Sequence, residues 1–430
     1  MSALVAEPAR PRPQTRLRLL TPAGADTSLE AHLERYGPLP ASRREGARLL
    51  AEVEASGLRG RGGAGFPTHV KLRAVAARRS PIVVANGVEG EPASHKDALL
   101  MRVNPHLVLD GAVIAAAITG ARRIVVAVGR NAPAAHAAVS AAIDERAQAG
   151  EREQIELVSV PDRFVAGEES ALVQWLNGGP AKPTFTPPRP FERGVRGRPT
   201  LIQNVETLAN LALIARYGAG WFRELGSRTE PGSLLVTVSG AVARHGITEL
   251  PSGTPLEALI DAYGGVTEPA RAVPIGGYFG TWVPVADALG APLSDEGLRP
   301  LGASLGARAI AVLPQAGCGL RETARIVDYL ARESAGQCGP CVFGLRAIAD
   351  ALHSLALCDA GASAAVARLA RLAPQVADRG ACAHPNGATR LVESALTVFA
   401  DEVAHHRAGV CSARSHEPLL PIPPTTGEWR

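Results

Sequence analysis

Between residues 42 and 217 the apolar positions switch repeatedly between two periods. Helical spacing runs to about 55, a glycine-rich loop intervenes, and a second helix is predicted from 68. The continuous apolar run 82–85 reads as a buried strand, with a helix around 108–119 after it. The β-branched run 123–128, closed by a glycine, predicts a strand, followed by an Ala-rich helix to 148 and a strand at 155–160. Alternating strands and helices are the pattern of a parallel sheet covered by helices.

Further on, 234–239 alternates as Leu-Leu-Val-Thr-Val-Ser before a turn at Gly240, and a short amphipathic helix at 256–263 precedes an apolar run at 273–277. That pattern predicts a small β-grasp-like domain. From there the chain turns helical: Leu320, Ala324, Val327 and Leu330 keep three-to-four spacing, and helices follow around 342–357, 364–372 and 389–405. The expected layout is a disordered arm at 1–40, an α/β domain at 41–230, the β-grasp domain at 231–300, a helical domain at 301–410 and a disordered tail at 411–430.

Composition narrows the function. A hydrophobic share of 46% in 430 residues allows two or three domains with a large core. The net charge of +4 comes from arginines scattered among acidic residues, with only Lys71, Lys96 and Lys182 beside them, which argues against nucleic acid as a partner. The apolar stretch 111–121 is far short of the roughly 20 residues that span a bilayer, so no membrane insertion is expected. Residues 1–20 carry no apolar core of a secretory signal, and a cytoplasmic location is predicted, free or peripheral to a membrane complex. All six cysteines fall in the last third of the chain, where metal or redox chemistry is expected rather than disulfides.

Two motifs suggest a nucleotide. Gly57-Leu-Arg-Gly-Arg-Gly-Gly-Ala-Gly65 packs five glycines into nine residues just before a helix. Such backbone can turn through positive φ, approach a ligand closely and present N–H groups to a phosphate. The spacing is neither Walker A nor the usual Rossmann fingerprint, and the plainer alternative is a flexible surface loop. Asn86-Gly-Val-Glu89-Gly-Glu91-Pro92 follows a predicted strand, where open α/β sheets bind ligands. Its two carboxylates suit a ribose or an amide; a solvated turn is the alternative.

These residues resemble a known family. Residues 57–68 look like the GLRGRGGAGFPT loop of the flavin-carrying, NADH-oxidising flavoprotein of respiratory complex I (its F subunit) and related diaphorases, and 86–97 like its acidic segment NxxExEPxxxKD. Gly167-Glu-Glu-Ser-Ala-Leu172 is similar to its GEETAL, and 197–208 to its GKPTLINNVETL. The resemblance spans about 57–396. It implies an α/β fold with a Rossmann-like FMN domain, a β-grasp (SLBB-type) domain and a C-terminal helical iron-sulfur bundle. By the same resemblance, Gly60, Arg61, Gly62, Gly63 and Gly65 cradle the FMN phosphate, Phe66 is retained beside them, and Asn86, Gly167, Glu168 and Asn204 line the flavin. Lys71, Glu89, Glu91 and Glu169 then lie where flavin and incoming NADH meet, with Glu89 and Glu91 near the nicotinamide.

The chain departs from that pattern in two places. Around the nucleotide, Ala74 stands for an aromatic residue, Val88 for an aspartate, Phe164 for a tyrosine, and Thr186 and Arg189 for a lysine and a phenylalanine. A lost stacking face is worth on the order of 1 kcal/mol. In the cluster motif ESCGxCxPC, Ala335 replaces the first cysteine, leaving Cys338, Cys341 and Cys382 as ligands. Cys318 is a poor substitute, because a helix over 321–332 would hold it roughly 18 Å away, and Cys358 fails likewise. His384 or Cys411 could complete a 4Fe-4S cluster, a 3Fe-4S cluster needs no fourth ligand, and zinc on the CxxC is a further alternative. The expected function is a flavin-dependent oxidoreductase passing electrons from NADH through FMN and an iron-sulfur cluster to another redox subunit or a ferredoxin-like carrier. The alternative is a divergent paralogue that binds flavin, docks a redox partner and does not use NADH.

Overall fold

The computed structural model describes residues 17–40, 45–151, 153–424 and 428–430. Its first layer is a four-stranded, all-parallel sheet: β1 (Ile82–Gly87), β2 (Arg123–Gly129), β3 (Gln154–Val160) and β4 (Thr200–Asn204), in the order β3-β2-β1-β4. Eight helices surround it: α1 (Leu29–Tyr36), α2 (Gly46–Ser56), α3 (Thr68–Ala76), α4 (Lys96–Val103), α5 (Pro105–Thr119), α6 (Pro133–Gln148), α7 (Glu169–Leu176) and α8 (Val205–Phe222). Helix α5 is buried all round and, apart from His106, Asp110 and the terminal Thr119, apolar all round. It packs on α8 so closely that a side chain at Gly111 would strike the Leu208 backbone. Leu107, Val108 and Leu109 are fully enclosed, each stabilising the fold by about 1.5–3 kcal/mol.

A cluster of charges lies inside this core. Asp110 on α5 accepts from Arg146 (2.6 Å), Arg216 (2.5 Å) and His32 (2.7 Å). Burial alone would raise its pKa, but the His32 bond and the two guanidiniums outweigh it and hold the carboxyl well below the usual range.

The second sheet has the order β6-β5-β9-β7-β8, built from β5 (Ser233–Gly240), β6 (Gly246–Pro251), β7 (Ala270–Ile275), β8 (Thr281–Pro284) and β9 (Ala309–Pro314). Helix α9 (Leu256–Ala262) and the single turns α10 (Val285–Ala288) and α11 (Asp295–Leu298) complete the β-grasp domain. Because β9 lies in the middle of the sheet, parallel to β5 and antiparallel to β7, the domain extends to Pro314 rather than 300. The helical domain holds α12 (Gly319–Arg332), a π-turn (Pro340–Leu345), α13 (Arg346–Leu357), α14 (Ala362–Val376), α15 (His384–Val398) and α16 (Ala400–Arg407).

Among the described residues one helix, Pro340–Leu357, is long and apolar enough to cross a membrane, a length the 111–121 run does not reach. Its Leu345, Ile348, Leu352 and Leu355 are fully buried in the helical domain's own core.

Both expected disordered ends are partly built into the molecule. The N–H groups of Arg18, Leu19 and Leu20 all donate to Glu249 of β6, and Leu19 is fully buried. At the other end, Leu420 is buried and donates to Glu322 of α12. Residues 1–16 of the expected arm and 425–427 of the expected tail lie outside the described residues.

Candidate active site

The carboxyl ends of β1 and β4 meet where the strand order reverses, with Asn86 in register with Asn204. Open α/β sheets bind ligands at such a switch point. The glycine loop closes one side of it. Gly60 donates to the Phe66 carbonyl (2.8 Å), Arg59 reaches the Gly65 carbonyl (2.8 Å), and a Cβ on Gly62 would stand 3.1 Å from Cβ of Asn204. Gly63 (φ 109°) and Gly65 (φ 59°) occupy left-handed conformations that favour glycine.

Among the described residues the backbone N–H groups of Gly62, Gly63, Ala64 and Gly65, in and just after the turn over 61–64, make no hydrogen bond of normal length and angle. Successive free amides of this kind form an anion-binding nest. The loop is braced from behind: the Arg61 amide donates to Thr207 Oγ1 (2.8 Å), and Arg308 donates to the Arg61 carbonyl. The Arg61 guanidinium, expected in the cradle, instead donates to the Pro231 carbonyl (3.0 Å) and is buried in the seam with the β-grasp domain. Phe66 is exposed.

The other motifs converge on the same crevice. Asn86 Nδ2 donates to the Gly167 carbonyl (2.9 Å), and a side chain at Gly167 would meet the Val88 carbonyl at 2.6 Å. Glu168 caps α7 by accepting from Ser170 (2.9 Å) and Ala171 (3.1 Å). Glu169 pairs with Lys71, whose ammonium also reaches the Ile202 carbonyl (3.3 Å). Asn204 caps α8 through Glu206 N–H (3.0 Å) and donates to Asp97 (2.7 Å).

Beneath Asn204 lies a charge cluster that the motifs alone do not single out. Buried Lys96 bridges Asp97 (2.7 Å) and Glu206 (2.9 Å), and burial raises the Asp97 pKa despite that ammonium. Neighbouring Gln203, buried to 4% exposure, has an Nε2 without a partner. The signal is present in sequence, since both groups sit inside the 86–97 and 197–208 motifs.

The two glutamates differ. Glu89 is occupied as the cap of α4, accepting from Ser94 (2.6 Å), Asp97 N–H (3.3 Å) and Ala98 N–H (3.2 Å). Glu91 accepts from Tyr278 N–H (2.8 Å) of the β-grasp domain and Ala93 N–H (3.2 Å). Burial pushes its carboxyl up to about 8, the two amides offset part of this, and the charge of Glu89 adds to it. Glu91 is therefore mostly protonated at neutral pH.

Cys338, Cys341 and Cys382 line one small cavity together with Ala335, His384, Val165 and Pro183. Val165 stands two residues before Gly167, so this cavity backs onto the segment that edges the crevice. Burial pushes the Cys382 thiol up to about 11 and raises Cys341 further. Of the two residues that could complete the shell, His384 lines the cavity: Nε2 faces the Leu330 carbonyl (2.8 Å) and Nδ1 has no partner. Cys411 is elsewhere, near Cys318, because the backbone after α16 runs back along residues 316–317. Phe164 lies between these regions, against Tyr278, Phe279, Tyr329 and His384.

Three family models match in order: the Nuo51 FMN-binding domain at 53–213, an SLBB domain at 235–277 and the NADH-ubiquinone oxidoreductase-F iron-sulfur binding region at 321–406. The F subunit of NADH-quinone oxidoreductase from Mycobacterium tuberculosis (strain ATCC 25618 / H37Rv) is 33% identical over 400 residues, 86% of this chain and 87% of that protein. The chain belongs to the NADH-quinone oxidoreductase F-subunit family. The NADP-reducing hydrogenase subunit HndC of Solidesulfovibrio fructosivorans is 29% identical, over 85% of this chain and 79% of its own. Among solved structures, an NAD+-reducing NiFe-hydrogenase in the H2-reduced state is similar with a TM-score of 0.78 at 30% identity. That match covers 86% of this chain but 64% of the hydrogenase chain.

The cofactors of the F-subunit family fit the residues present. The free amides of the glycine loop and the orphaned Gln203 Nε2 suit an FMN at the switch point. Three thiols on one cavity suit an iron-sulfur cluster, which the family's iron-sulfur region favours over zinc on the CxxC. Ala335 leaves one corner of that cavity without a thiolate.

Proposed function

We propose that this chain takes a hydride from NADH onto FMN at the β1–β4 crevice and passes electrons singly through a cluster on Cys338, Cys341 and Cys382 to a partner redox subunit or ferredoxin-like carrier. One observation carries this reading: four separated sequence motifs meet at one strand-end crevice, and Val165, beside the third of them, lines the three-cysteine cavity. Bound FMN would supply hydride acceptance and one-electron release.

The chain's own residues hold and orient. Amides of Gly62, Gly63, Ala64 and Gly65 take the phosphate, with Gly60 setting the turn; Asn86, Gly167, Glu168 and Asn204 fix the crevice wall. Lys71 and Glu169 are paired with each other beside the Ile202 carbonyl of β4. Glu91, held by the Tyr278 and Ala93 N–H groups, ties the acidic segment to the β-grasp domain, while Glu89 sets the α4 end. Such a protein would work in the cytoplasm, peripheral to a membrane complex.

A second reading, a flavoprotein reduced by another donor, is favoured by Ala74, which offers no stacking face beside Lys71. Both readings require FMN. The test is titration of the purified chain with FMN, followed by flavin fluorescence, alongside NADH-dependent ferricyanide reduction. The wild type is expected to bind and turn over. Gly62→Val, which pushes atoms into Asn204, should weaken FMN binding by about tenfold or more. A wild type that binds no FMN would overturn both readings; FMN binding without NADH turnover would select the second.

A further inference from the structure

Away from the crevice and the three-cysteine cavity, the helical domain gathers a second set of soft ligands. Cys318 at the N-cap of α12, His406 in the last turn of α16 and Cys411 just beyond it place their ligand atoms within 4.8 Å of one another. Cys318 Sγ stands 3.7 Å from His406 Nε2. Around a tetrahedral zinc, a sulfur at about 2.3 Å and a nitrogen at about 2.0 Å lie about 3.6 Å apart. The pair already has that spacing.

The histidine is oriented for ligation. His406 is fully buried, and its Nδ1 lies 3.0 Å from the Leu355 carbonyl. That bond places the ring proton on Nδ1 and leaves the Nε2 lone pair facing Cys318. Metal-bound imidazoles are commonly held in this way by a carbonyl on the other nitrogen. The backbone fixes the third ligand: Arg414 and Ser415 both donate to the Ala316 carbonyl (2.9 Å), and Gly317 bridges Ser415, lacing the segment after Cys411 beside the approach to Cys318. Two groups border the remaining position. They are the Glu402 carboxylate, 3.3 Å from Cys318 Sγ and ion-paired with Arg271, and His416 Nε2, 3.5 Å from Cys411 Sγ.

We propose that Cys318, His406 and Cys411 form a structural zinc site that fastens the C-terminal segment 411–424 to the start of α12. Two sulfurs and an imidazole select zinc over the oxygen-preferring magnesium and calcium. Entry of the ion releases both thiol protons. Two thiolates and a neutral imidazole then cancel its charge, as a mostly buried position requires. A Cys318–Cys411 disulfide would make no use of the oriented His406.

The test loads the full-length, FMN- and cluster-containing protein with zinc, dialyses it and records X-ray absorption at the zinc edge, to which iron is silent. One retained zinc per chain is expected, with two sulfurs at about 2.3 Å and nitrogen or oxygen completing the shell. Cys411→Ser, at the partly exposed ligand, should remove one sulfur and weaken retention by about tenfold or more. Cys358→Ser, nearby but outside the set, should leave the spectrum unchanged. Cys318→Ser should behave as Cys411→Ser does, and Cys411→Ser carries the test if it fails to fold. The proposal is overturned by a wild type that retains no zinc, by a sulfur count unchanged in Cys411→Ser, or by a Cys318–Cys411 disulfide in the mass spectrum of the reductant-free protein.

Discussion

Replacing Glu91 by glutamine should flatten a specific part of the pH dependence of stability. In the folded chain burial pushes this carboxyl from the usual 4.5 up to about 8. Between those values the unfolded state has lost the proton while the folded state keeps it. Stability therefore falls as pH rises, by up to about 1.4 kcal/mol per pH unit. The contribution is fully present below pH 4.5 and is lost by pH 8, a ceiling of about 5 kcal/mol over the window.

Glutamine has no such titration. It keeps one acceptor for the N–H groups of Tyr278 and Ala93 but turns an NH2 towards the other, a pH-independent loss of about 1–2 kcal/mol. Wild type should thus be the more stable protein at pH 5, and Glu91→Gln the more stable at pH 8, by up to about 3 kcal/mol. Paired urea denaturation of the FMN-loaded proteins across that range measures the difference, in which groups common to both cancel. A difference that stays constant from pH 5 to pH 8 would refute the raised carboxyl.

Three further outcomes follow from the geometry. Asp110→Ala leaves Arg146, Arg216 and His32 around an empty carboxylate site, and calorimetry should show a loss of about 3–5 kcal/mol. Ala74→Phe restores a ring three residues after Lys71 and should lower KM for NADH about fivefold with kcat little changed, a gain of about 1 kcal/mol. Ala335→Cys supplies a thiol at the fourth corner of the cysteine cavity, and the electron paramagnetic resonance signal should change from a three-iron to a four-iron type.

The local parts of this molecule are legible in sequence, and the distant ones are not. The apolar runs of β1 and β2 and the glycine density of 57–65 are contiguous signals, and each forms the element it predicts. The run that forms β9 carries no sign of its partners, since it pairs with β5 more than 65 residues upstream, and so its sequence reads as the start of the helical domain. Motif position alone puts Arg61 in the cradle. Its guanidinium is claimed by Pro231, 170 residues away, a contact that no local pattern encodes. The length of a helix separates Cys318 from the cluster, and the structure keeps it apart from the three-cysteine cavity. That it meets His406 and Cys411 depends on how α16 and the tail fold back, which spacing alone does not contain.

The most direct test is an anaerobic titration of the FMN- and iron-reconstituted protein with NADH, monitored at the flavin absorption band. Rapid bleaching is expected, complete near roughly 1.5 NADH per flavin, with two electrons held on the flavin and one on the cluster. A flavin that stays oxidised in excess NADH, and bleaches only with dithionite, would contradict this expectation.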